Sequence, residues 1–151
     1  MIKLTQTKQG LKNSNGKRIT YGNCLVTCIA CILEVPIDEM PNIQVFYEFK
    51  NPPVNHADPS WHIVMNMWLK LKFGLSLDKV EIHPKQQTDR TLLQRLKKGS
   101  KYDWVIARGL SPRGTSHCII MNLKHQEPAW DPSPSREGLT EIHHYWKLVK
   151  V

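Results

Sequence analysis

The sequence predicts an α+β domain, with an N-terminal helix carrying a cysteine packed on a C-terminal antiparallel sheet. Three observations carry this expectation. A long apolar run at helical spacing fills residues 24–35; two further segments, 58–74 and 88–99, carry helix start and stop signals; and short strand-like runs dominate after residue 100. Helices first and an antiparallel sheet after is an α+β order. At 151 residues with 40% hydrophobic content and five tryptophans, residues 1–151 are expected to form one domain with one real core.

Residues 1–21 read as an extended start, with Ile2 and Leu4, followed by a flexible basic loop, KQGLKNSNGKR. Gly22 and Asn23 break what precedes, and Asn23 suits an N-cap. The helix from Cys24 has apolar or small residues at 24, 25, 28, 29, 31, 32 and 35, and Pro36 stops it. PIDEMPNI is an acidic turn, and the stretch to about residue 55 is irregular surface. Asp58-Pro59 opens the next helix, whose stripe of Trp61, Val64, Met67, Trp68 and Leu71 is expected inside, with Lys70 and Lys72 outside. LSLDKVEI follows as a strand, then the capped helix TDRTLLQRLKKG, closing on Gly99. Strands are expected at residues 103–108, 117–122, 128–131 and 142–149.

The chemistry centres on Cys24. In the first helical turn, unpaired N–H groups and the helix dipole favour an anion, which lowers a thiol pKa. A cysteine in an apolar helix is ordinarily a small core residue, and Cys28 and Cys31 fit that description. The spacing of Cys24, Cys28 and Cys31 also matches a cluster-binding pattern. Inside one helix, however, the three thiols fall at i, i+4 and i+7 and cannot converge, so neither metal nor cofactor is expected. Two later residues change the reading of Cys24. His117 heads an apolar strand behind the loop SPRGTS, and Asp131 ends PAWD before PSPS. If these runs pair as a hairpin about residue 124, His117 and Asp131 oppose each other, with Cβ atoms about 4.5–5.5 Å apart. A helix-start Cys, a strand-borne His and an adjacent Asp together make a thiol hydrolase arrangement of nucleophile, base and orienting acid. Cys24 is then expected to be the most acidic and most accessible of the four thiols. Cys118 is expected to point away from the side that His117 faces.

This order, with GNC at a helix start, His heading a strand and Asp-Pro ending the next, resembles the papain-like cysteine peptidases, near the double-glycine leader peptidase domains of peptide-exporting transporters. GNCLVTCIACILEVPIDEMP, GLSPRGTSHCII and WDPSPSREGL are similar to segments of small bacterial and phage proteins of that type. The resemblance implies a papain-like fold with Cys24 as nucleophile, His117 as base and Asp131 as orienting acid. It departs in one respect: the family places an oxyanion-stabilising Gln a few residues before the nucleophile, and residues 18–23 contain none. Gln6 is the best substitute and Gln9 the second.

Two rim loops offer further groups. Ser111 and Arg113 precede His117, and Ser133 and Arg136 follow Asp131; together they are candidates to grip a carboxylate or phosphate. Ordinary turn chemistry is the competing account of all four. The favoured function is hydrolysis of a peptide, isopeptide or side-chain amide bond in a peptide or protein substrate. The alternative is a non-catalytic binding or inhibitory module holding an anionic ligand or a host protein in the same cleft. Net charge is +8, but no Lys/Arg run exceeds two residues, which argues against nucleic acid as a partner. With no apolar stretch of about 18 residues, no secretory-type start and four cysteines poorly spaced for disulfides, a cytoplasmic protein with no membrane association is expected.

Overall fold

A computed structural model describes residues 1–9, 11–12, 15, 18–20, 22–43, 46, 60–82 and 89–151. Among these, the elements run β1 (Leu11–Lys12), β2 (Arg18–Thr20), α1 (Cys24–Leu33), a 3-10 turn (Ile37–Glu39), α2 (Ser60–Phe73), β3 (Leu75–Glu81), α3 (Asp89–Lys97), β4 (Trp104–Leu110), β5 (Ser116–Asn122), β6 (Glu127–Trp130) and β7 (Glu141–Lys150). The chain is therefore α+β. Its five-stranded sheet has the order β3-β7-β4-β5-β6, every pair antiparallel. The irregular stretch expected before residue 55 and the Asp58-Pro59 helix start lie outside the described residues. No helix of the described residues is long and apolar enough to cross a membrane.

The sheet is covered on both faces. On one, Leu75, Leu77, Ile106, Cys118, Ile120, Trp146 and Leu148 join α1 and the inner side of α2 in a single core. On the other, Val80, Val105 and Leu123 pack with Leu96 of α3. Every residue of α1 from Cys24 to Ile32 is buried, so the helix is enclosed all round. It ends before Pro36: Glu34 takes the left-handed conformation (φ 60°), and Val35 N–H closes on Ala30 O at 3.1 Å. Pro36 restricts Val35 instead of stopping the helix itself.

Two expectations are corrected here. The basic loop of residues 1–21 contains a strand pair, β1 with β2, on either side of a turn at Asn15. In α2, the residues turned inward are Trp61, Met65 and Leu69, whereas Val64 (38% exposed), Met67 (61%) and Leu71 (82%) face outward. The reason is polar. Asn66 Oδ1 accepts the Leu77 N–H at 2.7 Å and His62 Nε2 lies 2.6 Å from Leu77 O, so the helix turns its His and Asn onto the outer edge of β3. The outward N–H and C=O of Leu77 are thus taken and cannot serve further strand pairing at that position.

Candidate active site

Cys24 opens α1. The first intrahelical bond runs from Thr27 N–H to Asn23 O (3.0 Å), so the N–H groups of the first turn have no partner within the helix. No acidic side chain stands in that turn to offset the positive end of the dipole. Asn23 occupies the N-cap position, but its side chain makes no cap, contrary to expectation. It reaches sideways: Nδ2 donates to Thr7 Oγ1 (2.8 Å) and Oδ1 accepts from Lys8 N–H (2.9 Å). An open cavity of about 240 Å³ lies next to this turn, lined by Lys8, Asn23, Val26, Ile37, Met40 and Ile43 among others.

His117 is the second residue of β5, and its Nε2 stands 2.7 Å from Asp131 Oδ1. This contact does not arise as the simple hairpin predicts. β6 ends at Trp130, which pairs with Ile120, and a register shift lies between Ile120 and Met121. Continued outward, that register brings Asp131 level with Ile119, making His117 a diagonal neighbour two residues along the strand. The carboxylate is aimed by its own turn: Oδ1 also accepts Ser133 N–H (2.8 Å) and Oδ2 accepts Gly138 N–H (2.7 Å). Gly138 holds φ at +76°, a conformation that side chains rarely adopt.

The charges reinforce one another. The Cys24 thiol lies well below its ordinary pKa: a hydrogen bond from the Cys118 thiol pulls hardest, burial opposes it, and the hydrogen bond and charge of His117 and the charge of Arg108 add to the lowering. Burial alone would lower His117, but hydrogen bonds to Asp131 and Cys24, and their charges, raise it to about 9. Burial works against ionisation of Asp131 too, yet the bonds from His117, Ser133 and Gly138 hold it below its usual value. The other three thiols are raised: Cys28 and Cys31 mainly by burial, Cys118 by its bond to Cys24 and then by burial. All four thiols are free and buried, Cys24 at 6% exposure and the others at 0%.

The placing of Cys118 is a correction. It does not turn away from the site; it faces α1 beside Cys24 and Cys28, and its sulfur lies 3.7 Å from Arg108 Nη1. Arg108 pairs with Cys118 across β4 and β5. Neither residue was legible as part of the site, because alternation assigns faces only after the register between strands is known.

Gln6 is buried at 5% exposure. Its Nε2 donates to Lys8 O (2.8 Å), its N–H donates to Pro132 O (2.8 Å), and its Oε1 is buried without a partner among the described residues. Since Lys8 meets Asn23, and Pro132 follows Asp131, Gln6 sits on a segment running between the neighbours of Cys24 and those of Asp131. The contacts of the four rim residues are internal. Ser111 Oγ bonds Thr115 Oγ1 (2.9 Å) and Ser133 Oγ bonds Ser135 Oγ (3.0 Å), both hydroxyls being inside their turns. Arg136 donates to Asp131 O, Ser133 O and Thr5 Oγ1 and stacks 4.1 Å over Trp130. Arg113 donates to Gln9 Oε1 (2.6 Å), which leaves Gln9 as a partner of the rim loop. Among the described residues, no group of three or more His, Cys, Asp or Glu is placed to hold a metal ion.

No protein-family model, curated protein or solved structure matches the chain.

Proposed function

We propose that the chain is a papain-like thiol hydrolase that cleaves a peptide, isopeptide or side-chain amide bond through Cys24, His117 and Asp131. The observation that carries this reading is the 2.7 Å contact of His117 Nε2 with Asp131 Oδ1, a carboxylate fixed by two backbone N–H groups, together with a thiol at the start of α1 held well below its ordinary pKa. With Nε2 taken by Asp131, the other ring nitrogen serves the sulfur. In this account the thiolate attacks the carbonyl carbon, and the imidazolium gives its proton to the leaving amine. Water then hydrolyses the thioester, with His117 taking the water's proton. The first-turn N–H groups of α1 supply oxyanion stabilisation, with Gln6 as the candidate side-chain donor. The cavity beside Asn23 and Val26 would receive a side chain flanking the scissile bond.

A binding or inhibitory module on the same fold draws less support. The groups expected to hold an anion, Ser111, Arg113, Ser133 and Arg136, are engaged with their own loops and with residues 5–9. The test is to incubate the protein with a diverse peptide mixture and identify new termini by mass spectrometry. Cys24→Ala, His117→Ala and the double variant should lose nearly the same cleavage, since each single change already disables the unit. Asp131→Asn should retain more, because an amide still reaches the ring. Full cleavage by Cys24→Ala would rule the hydrolase reading out.

A further inference from the structure

The outer side of α2 carries large apolar side chains that take no part in the core. Ile63 is 63% exposed, Met67 61% and Leu71 82%, with Val64 beside them at 38%. We propose that this stripe is a contact site for an anionic membrane surface. In this account α2 lies flat on the bilayer, its aliphatic side chains reaching the outer edge of the lipid tails and Lys70 and Lys72 standing among the headgroups. The inference goes beyond the hydrolase reading and does not depend on it: α2 closes the β3 edge of the sheet, and Asp131 follows β6 at the other edge.

The spacing makes one face. Ile63, Met67 and Leu71 are four residues apart, so they form a single ridge about 12 Å long, and Val64 widens it. The opposite side of the helix is committed to the fold. Trp61, Met65 and Leu69 are buried there, while His62 and Asn66 hold Leu77 of β3. These contacts fix the rotation of α2 and keep the ridge turned outward. Contiguous exposed apolar side chains with charge at their rim mark a contact surface.

Charge selects among the occupants. α2 contains no Asp or Glu, and the exposed Lys70 and Lys72 lie about 100° to either side of Leu71 around the helix. Lys150, exposed and paired with Leu75, adds a third cation just past the helix end. An anionic surface complements this set. A second copy does not, since it carries +8 itself and has no carboxylate on α2 to meet the lysines. Composition then separates lipid from protein. Protein interfaces draw most of their energy from Trp, Tyr and Arg, with Leu and Val under-represented and Lys depleted. Here the exposed ridge is Ile, Val, Met and Leu, and its rim is Lys. Lysine stems reach along apolar neighbours and bring their charge to anionic headgroups. That no described helix can cross a membrane does not bear on this, because an interfacial helix lies along the surface.

The experiment sediments the full chain with vesicles of phosphatidylcholine alone, or of phosphatidylcholine and phosphatidylglycerol in equal parts, at low and high salt. The chain should sediment with the mixed vesicles only, and less as salt rises. Leu71→Ser should weaken this binding roughly tenfold, and Lys70→Gln and Lys72→Gln roughly fivefold each. All three side chains are exposed, so the variants should keep the wild-type urea midpoint, which separates lost binding from lost fold. Equal sedimentation with both vesicle types would overturn the proposal, as would wild-type binding by Leu71→Ser or by the two lysine variants. A concentration-dependent dimer that Leu71→Ser abolishes would give the face to a second copy instead. A monomeric chain that binds neither vesicle would leave it to a protein partner and equally overturn the inference. Vesicle binding by a chain that cleaves no peptide would retain this inference and reject the hydrolase reading.

Discussion

At the scale of single residues, Cys24 is shifted towards its ionised form and His117 towards its protonated form, and this has a consequence for stability. A histidine raised from 6.5 to about 9 stabilises the fold fully below about pH 6.5 and loses that contribution as pH rises through about 9. A thiol lowered from 9.0 does the reverse: its contribution is absent at low pH and complete above about 9. Between those limits the gain and the loss cancel, because folded and unfolded chains bind the same number of protons at the pair. Urea unfolding of the wild type should therefore be nearly flat from pH 6.5 to 9. Cys24→Ala removes the compensating thiol and, with it, part of what raises His117, so its stability should fall with rising pH only through the lift that Asp131 retains, by less than about 1.4 kcal/mol per unit. A wild-type slope equal to that of the variant would show that the two groups are not coupled. Asp131 sets the acid side. Its lowered pKa stabilises the fold above about 3.8, and this is lost as pH falls through the lower folded value, a loss that Asp131→Asn should abolish. Cys24, His117 and Asp131 could be singled out from the sequence because a helix start, a strand head and a strand end are local signals. Arg108 and Cys118 could not, because they reach the site through the pairing of β4 with β5.

At the scale of elements, two contacts decide how the sheet is finished. Gly109 lies at a register shift between β4 and β7, where a Cβ would stand 1.7 Å from Glu141 O. No side-chain rotation relieves a clash with backbone, so Gly109→Ala should cost about 3 kcal/mol or more. Because Gly109 pairs with His117 across β5, the variant should also disturb the site. An Ala variant with wild-type denaturant midpoint would refute the close approach. The edge of β3 depends on Asn66. Truncation to Ala leaves the Leu77 N–H without its partner and should cost about 1–2 kcal/mol, read in the same unfolding assay. Here the sequence misleads in an instructive way. Hydrophobic periodicity puts Val64, Met67 and Leu71 inside, but satisfying an edge strand's peptide groups turns the helix by its polar residues. The helix itself was legible from Gly74, which ends it at φ +64°.

At the scale of the whole molecule, residues 1–9 join parts that are distant in the chain. Ile2 N–H bonds Cys31 O, Trp130 Nε1 donates to Leu4 O, Gln6 bonds Pro132, and Asn23 holds Thr7 and Lys8. The segment thus fastens the start of α1 to the loop that carries Asp131, and Asn23→Ala should loosen that fastening at a cost of about 1–3 kcal/mol in thermal or urea unfolding. The α+β order, the strands of the five-stranded sheet and the helix bearing Cys24 were legible because periodicity and turn residues encode them. The fastening was not, since isolated polar contacts between residues 1–9, α1 and the β6 end leave no periodic trace. The ionisation of Cys24 rests first on Cys118 and next on His117, which Asp131 holds in turn. Its most direct test is the rate of iodoacetamide labelling at each of the four cysteines from pH 6 to 9, in the wild type and in His117→Ala. Cys24 should label fastest, at a rate nearly independent of pH, and should slow roughly tenfold at neutral pH in the variant while regaining the pH dependence of an ordinary thiol. Equal labelling of all four thiols, or a Cys24 rate untouched by loss of His117, would contradict it.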